Sequence, residues 1–207
     1  MSGQRRSFVI ALTGGVAAGK SAVSRRFEAL GIHVYDADVA SREVIAPGTG
    51  GLQAVIDHFG GEVLDSRGQL DRAAMRKRVF GDDEARRALE AIIHPRVRAW
   101  LHEHAHLDRG VYCLLAIPLL AENLDYYRWV DRVLVVDAPE AMQLERLVRR
   151  DGIDEALARR MIERQAHRTE RLMLAHDVIE NHGDEAALDQ AVSQLHTRYL
   201  ALAEAAR

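Results

Sequence analysis

Gly14-Gly15-Val16-Ala17-Ala18-Gly19-Lys20-Ser21 satisfies the spacing G-x-x-x-x-G-K-[ST] without a mismatch, and its flanks decide what it can be. Before it lies Phe8 to Leu12, a continuous apolar run of the kind buried on both faces in a parallel sheet. After it, Val23, Phe27 and Leu30 fall on one helical stripe, and Gly31 supplies a stop. A glycine-rich turn between strand and helix commits the chain to an α/β fold and to a loop whose backbone N–H groups converge on phosphate. In such a loop Lys20 reaches the β- and γ-phosphates of a nucleotide, and the Ser21 hydroxyl is placed to bind Mg²⁺. Mg-ATP is the expected ligand, with Gly14 through Ser21 and the following Ala22 as its contacts.

The motif fixes nucleotide binding better than it fixes a reaction. The chain has no N-K-x-D guanine-reading sequence and no transporter-type signature, and at 207 residues it is short for a motor. Further strands are expected over Ile32 to Tyr35, Val111 to Ile117, Arg132 to Asp137 and Asp177 to Ile179, with a final helix from Glu185 towards Ala205. About seventy residues separate the second strand from the third. They carry helical patterns, Arg72 to Phe80 and Asp83 to Ile93, between turn-rich pieces at Pro47 to Gly51 and Asp65 to Gly68. This is an insertion of helices into a parallel sheet.

A net charge of −3 gives no basic field of the kind that gathers nucleic acid. The single cysteine, Cys113, excludes an intrachain disulfide and reads as a buried strand residue. Arg5-Arg6 before an apolar run superficially resembles a twin-arginine signal, but cleavage there would destroy the phosphate motif. No segment approaches the roughly 20 apolar residues of a membrane span. A cytoplasmic protein is expected, without membrane or nucleic-acid partners.

Asp36-Ala37-Asp38 falls where the second strand ends, and ligands of doubly wound sheets lie outside the carboxyl ends of strands. A carboxylate there could accept a hydroxyl proton, and either Asp could instead cap the next helix. Together with the glycine motif, this segment, the following Arg42, and Pro47-Gly48 resemble the dephospho-coenzyme A kinase family. The resemblance continues in order through Leu70-Asp71-Arg72, Val79-Phe80, His94-Pro95, Ile117-Pro118-Leu119-Leu120 with Glu122, Arg150-Asp151-Gly152, Gln165, and Asp177-Val178-Ile179 with Asn181 and Gly183.

That resemblance implies a P-loop core of parallel sheet flanked by helices (about 7–40, 110–145 and 175–207), a helical substrate-binding lobe (about 41–109) and a helical lid (about 146–174). It implies transfer of the ATP γ-phosphoryl group to the ribose 3'-hydroxyl of dephospho-coenzyme A, the last step of coenzyme A synthesis. Asp38 matches the family's proposed base. Arg42, His94, Pro118, Leu119, Leu120 and Glu122 match acceptor-side positions. For Glu122 a structural ion pair is the competing reading, and for His94-Pro95 a helix-ending turn. Asn181 and Gly183 match a loop against the adenine, and a plain turn accounts for them as well. The family often has Gly-Ser at Ala17-Ala18, so Ala17 has to reach a backbone conformation that favours glycine.

Eight arginines lie between Arg146 and Arg171, with Arg160, Arg164 and Arg168 at helical spacing on one expected face, and most of the eight are expected to be solvated or paired with Glu163 and Glu170. A lid closing over phosphates needs at least one of them, and the family match selects Arg150, with Arg146 in reserve. His102, His104 and His106 invite a metal reading, but only His102 and His106 share a helical face. Competing functions are a P-loop kinase acting on a nucleoside, nucleotide or shikimate-like acceptor, and an ATP-sensing regulator without turnover.

Overall fold

Val9, Ile10, Ala11 and Leu12 are all fully buried, which a strand achieves only with neighbours on both edges and cover on both faces. The computed structural model describes residues 6–206, and Arg5 of the Arg5-Arg6 pair lies outside them. In it β1 (Phe8–Gly14) is flanked in parallel by β3 (Tyr112–Ala116) and β4 (Arg132–Asp137). Beyond β3 stands β2 (Val34–Asp36), and beyond β4 stands β5 (Asp177–Glu180), giving the order β2-β3-β1-β4-β5. Leu12 is opposite Ala116 on one side and Leu134 on the other.

Helix α1 (Lys20–Ala29) buries Val23 and Phe27 against this sheet. Leu30, expected on the same stripe, is instead the helix C-cap and exposed, because Gly31 at φ 79 turns the chain away. Long helix α9 (Glu185–Ala205) covers the same face with Leu188, Val192, Tyr199 and Ala203. Phe27 stacks on Tyr199 at 6.2 Å and meets the Tyr112 ring edge-on at 6.5 Å. Truncating such a ring to Ala costs about 3–5 kcal/mol.

The chain divides into two compact units, one comprising residues up to Tyr35 and from Ala105 onward, the other Asp36–His104. The second unit is helical: α2 (Ala37–Glu43), α3 (Gly50–Phe59), α4 (Arg72–Val79) and most of α5 (Asp83–Leu107). Ile45, Val55, Phe59, Val63, Met75 and Ala85 form its core. Its helices begin on side-chain caps: Asp36 for α2, Thr49 for α3, Asp71 for α4. The expected turn at Asp65–Gly68 forms, with the Asp65 carboxylate accepting from the Arg67 and Gln69 N–H groups.

His94-Pro95 does not end a helix, contrary to the competing reading, since α5 passes through it to Leu107. Pro95 withholds a hydrogen bond and would cost about 3 kcal/mol. It lies on the exposed side, while Val97, Leu101 and Ala105 are buried along the continuation and offset that cost.

In the first unit, α6 (Glu140–Asp151) ends at Gly152, φ 64, and is followed by α7 (Glu155–Glu163) and α8 (Arg168–Met173). The expected arginine face is broken. Arg160 lies in α7 and Arg164 at its C-cap, whereas Arg168 opens α8 after a non-helical Gln165-Ala166-His167. Arg168 pairs with Asp137, and Glu170 accepts from the His167 N–H. Among the described residues no helix is long and apolar enough to cross a membrane.

Candidate active site

The five residues between β1 and Lys20 are held in one shape. Ala18 N–H donates to the Gly15 carbonyl at 3.0 Å, closing a four-residue turn whose third residue, Ala17, has φ 57. That position of the turn demands positive φ and is usually glycine. Ala17 is the one non-glycine residue with positive φ among the described residues, as the sequence led us to expect, at a cost of about 1 kcal/mol. Gly19 follows at φ 105 with the Asn181 amide against its α-carbon, so both space and backbone angle exclude a side chain. Gly15 is pressed from behind, where a Cβ would lie 2.5 Å from Gln143 Oε1 and 2.9 Å from an Arg171 nitrogen.

Helix α1 starts at this loop without a side-chain cap and without an acidic residue in its first turn. Helices α2, α3, α4, α7 and α9 all begin with a side-chain oxygen on a first-turn N–H. The α1 N-terminus therefore keeps its donors and its positive dipole end for an anion. Ser21 is exposed on its first turn, and among the described residues no carboxylate pairs with Lys20. This arrangement can bind phosphate.

Several elements converge on the loop. Asn181, after β5, is buried; its Nδ2 donates to Ala18 O at 2.8 Å and its Oδ1 accepts from Gly183 N–H at 3.2 Å. The Asn181 side chain is thus committed to the phosphate loop. Arg146 of α6 reaches Ala18 O at 3.4 Å and Asn181 O at 3.3 Å. Gln165 Oε1 accepts from Val16 N–H at 2.7 Å. Pro118, in the segment after β3, accepts from Thr13 at 3.5 Å, with Leu119 exposed and Leu120 buried beyond it. Glu122 forms no ion pair among the described residues; its Oε1 accepts from Ala166 N–H at 2.8 Å, fixing the residue beside Gln165. Arg150 is exposed and paired with Asp151 at 2.6 Å.

Arg171 is buried in the first unit with no carboxylate at ion-pair distance among the described residues, and bonds Ala166 O. Burial holds its pKa below the ordinary arginine value, although Asp137, Glu122 and Glu170 act in the opposite direction. Gln143, also buried, donates to Ala138 O at 2.8 Å while its Oε1 has no partner among the described residues.

In the second unit, Asp36 is the cap of α2, accepting from Asp38 N–H at 2.7 Å, which leaves the Asp38 carboxylate exposed on the first turn. Arg42 stands one turn further along α2. His94 is exposed in the middle of α5. Trp100 of α5 donates to Glu43 at 3.0 Å, tying α5 to the end of α2. The three histidines near the end of α5 assemble no cluster of three metal-ligating side chains, and none exists among the described residues.

Sequence reasoning quoted Gln165 without giving it a task and overlooked Asp137, Gln143 and Arg171. Asp137 had a readable signal, as a carboxylate at the carboxyl end of a parallel strand. Gln143 and Arg171 bond carbonyls only five positions away, but they meet Gly15 from over a hundred positions off, and no local pattern announces that approach.

Comparison with known proteins agrees with this fold. The family described as dephospho-CoA kinase matches residues 8–187. A dephospho-CoA kinase of Methylococcus capsulatus is 47% identical over 197 residues, covering 95% of this chain and 99% of the relative. Among solved structures, a Thermus thermophilus protein superposes with a TM-score of 0.77 at 27% identity, covering 94% of this chain and 98% of that one. A dephospho-CoA kinase from Campylobacter jejuni gives 0.67 at 25%, covering 93% and 97%.

Proposed function

Since the chain belongs to the dephospho-CoA kinase family, we infer that it transfers the γ-phosphoryl group of ATP to the ribose 3'-hydroxyl of dephospho-coenzyme A, yielding coenzyme A and ADP in the last step of coenzyme A synthesis. The observation that most supports a phosphoryl-transfer role for these residues is the uncapped N-terminus of α1 behind a loop held in the phosphate-cradling turn.

In this reading the loop from Gly14 to Ser21, with Ala22 behind it, holds the β- and γ-phosphates through the N–H groups not already given to Gly15 O and Gln165, together with the Lys20 ammonium. The Ser21 hydroxyl would hold Mg²⁺, which when bound neutralises charge on those phosphates. A single protein oxygen suits that ion, which keeps water and phosphate as its other ligands. Gly183 and the backbone beside Asn181 face the adenine.

Asp38 accepts the proton of the attacking hydroxyl, and its exposure, secured by the neighbouring Asp36 cap, supports that role. Arg42, His94, Pro118, Leu119, Leu120 and Glu122 contact or frame the acceptor. Arg150 exchanges Asp151 for the transferring group and stabilises its charge, and Arg146 already lies at the loop as a second cation. Residues 41–109 serve as substrate lobe, 146–174 as lid and the remainder as core. The protein works in the cytoplasm on small molecules, without nucleic acid or membrane.

The test is ADP release from Mg-ATP with dephospho-coenzyme A, adenosine, AMP or shikimate as acceptor, followed by the mass of the product. Stimulation by dephospho-coenzyme A alone, with gain of one phosphoryl group, is expected. Preference for another acceptor would remove the substrate assignment and leave the fold.

A further inference from the structure

The left-handed Ala17 raises the question of what keeps the phosphate loop in its turn. Within a four-residue turn closed by Ala18 N–H on Gly15 O, the N–H of the second residue, Val16, has no partner of its own. Left alone, the Gly15–Val16 peptide, whose carbonyl closes the turn, could rotate, releasing Ala18 N–H, letting Ala17 return to negative φ and swinging the loop's donors away from a common centre. The Gln165 carboxamide takes that N–H at 2.7 Å. On the other flank, Ala18 O is held by Asn181 and Arg146. The strained residue thus sits between two anchored neighbours.

Gln165 is itself fixed. Its N–H donates to Ile162 O at 3.1 Å at the end of α7, and the next residue, Ala166, is held by Glu122 through its N–H and by Arg171 through its carbonyl. A side chain anchored this firmly can impose a conformation on the loop.

We propose that Gln165 is a positioning residue for ATP: by holding Val16 N–H it keeps Ala17 left-handed and the loop ready for phosphate before the nucleotide arrives. This rests on the nucleotide-binding reading of the loop and assigns Gln165 no contact with substrate. It explains how a chain with alanine at this point of the turn retains a preformed loop, and it joins the loop directly to the segment between α7 and α8.

The test is a double-variant cycle with Gln165→Leu and Ala17→Gly, reading direct ATP binding and steady-state turnover. Gln165→Leu is expected to weaken ATP binding and raise the KM for ATP about five- to tenfold, the size of one hydrogen bond, with the KM for dephospho-coenzyme A within about twofold of wild type. Introducing Ala17→Gly should recover at least half of that loss, because glycine occupies the same angle without strain. Gln165→Asn, one methylene too short, should reproduce the defect and serves if the leucine variant does not fold. Unchanged ATP binding in the folded variants, or a loss of the same size when residue 17 is glycine, would overturn the proposal. Wild-type protein that binds ATP but turns over no acceptor would count against the kinase reading and leave this one standing.

Discussion

The side-chain amide of Asn181 occupies the space that a Cβ on Gly19 would need, while donating to the carbonyl of Ala18. Two distant stretches of sequence thus share one small volume at the head of α1. Gly19→Ala meets both this obstruction and a φ of 105, so ATP binding should weaken at least a hundredfold in a nucleotide titration. Asn181→Ala loses one hydrogen bond from a buried carbonyl, and a several-fold loss of ATP affinity is expected.

Asp38→Asn keeps shape and loses the proposed proton acceptor. The expected result is a fall in kcat of at least about a hundredfold with ATP affinity unchanged within a factor of about two, measured by initial rates and direct titration. Wild-type turnover in this variant would remove Asp38 as the base.

Arg171 carries a charge into a buried place without a carboxylate at bonding distance among the described residues. Replacing it by methionine removes a desolvation cost, and urea unfolding should show the ligand-free protein unchanged or more stable by ~1 kcal/mol. The same substitution removes positive charge from behind Gly15, so ATP affinity should fall several-fold and depend less on salt. A variant that loses stability and affinity together would mark Arg171 as a packing residue only.

Part of the acid sensitivity should come from Asp108. Burial pushes its carboxyl pKa up, but hydrogen bonds from Ser7, His33, Tyr35 and the Gly110 N–H outweigh this and hold it below the ordinary value. A carboxyl lowered by folding contributes stability that is fully present above its unfolded pKa, near 3.9, and is lost as the pH falls through the folded value. Urea midpoints should therefore be flat in this contribution down to about pH 4 and decline below it. Asp108→Asn should flatten that decline while lowering stability at neutral pH, since an amide cannot accept from all four donors.

Cys113 is buried in β3 and its thiol is pushed up to about 12, first by burial and then by Asp108 and Asp131. Thiol reagents should leave native protein unmodified and label it on unfolding.

Most of the sheet was legible because its strands are continuous apolar runs, and β4 matches its expected limits residue for residue. The loop was legible down to the positive φ of Ala17, since turn chemistry is local. Two errors have definite causes. Pro95 reads as a stop by local rules, but the buried residues beyond it carry α5 onward. The arginine spacing reads as one face because periodicity does not reveal the break at Gln165 to His167, which is set by Glu122 and Val16 far away in sequence. Gln165 was recognisable as part of a pattern, yet its task depends on where a chain 149 positions distant passes it.

The helical unit Asp36–His104 leaves the sheet from β2 and returns through the last turn of α5 to β3, and these two strands are neighbours. Paired strands stand only about 5 Å apart. An insertion bounded in this way asks little of its host, because the sheet closes its own hydrogen bonds whatever the intervening residues do. The helices that we propose choose the acceptor could therefore be revised or replaced without disturbing the pairing of β1, β3 and β4, as a cassette exchanged on one phosphate-handling chassis.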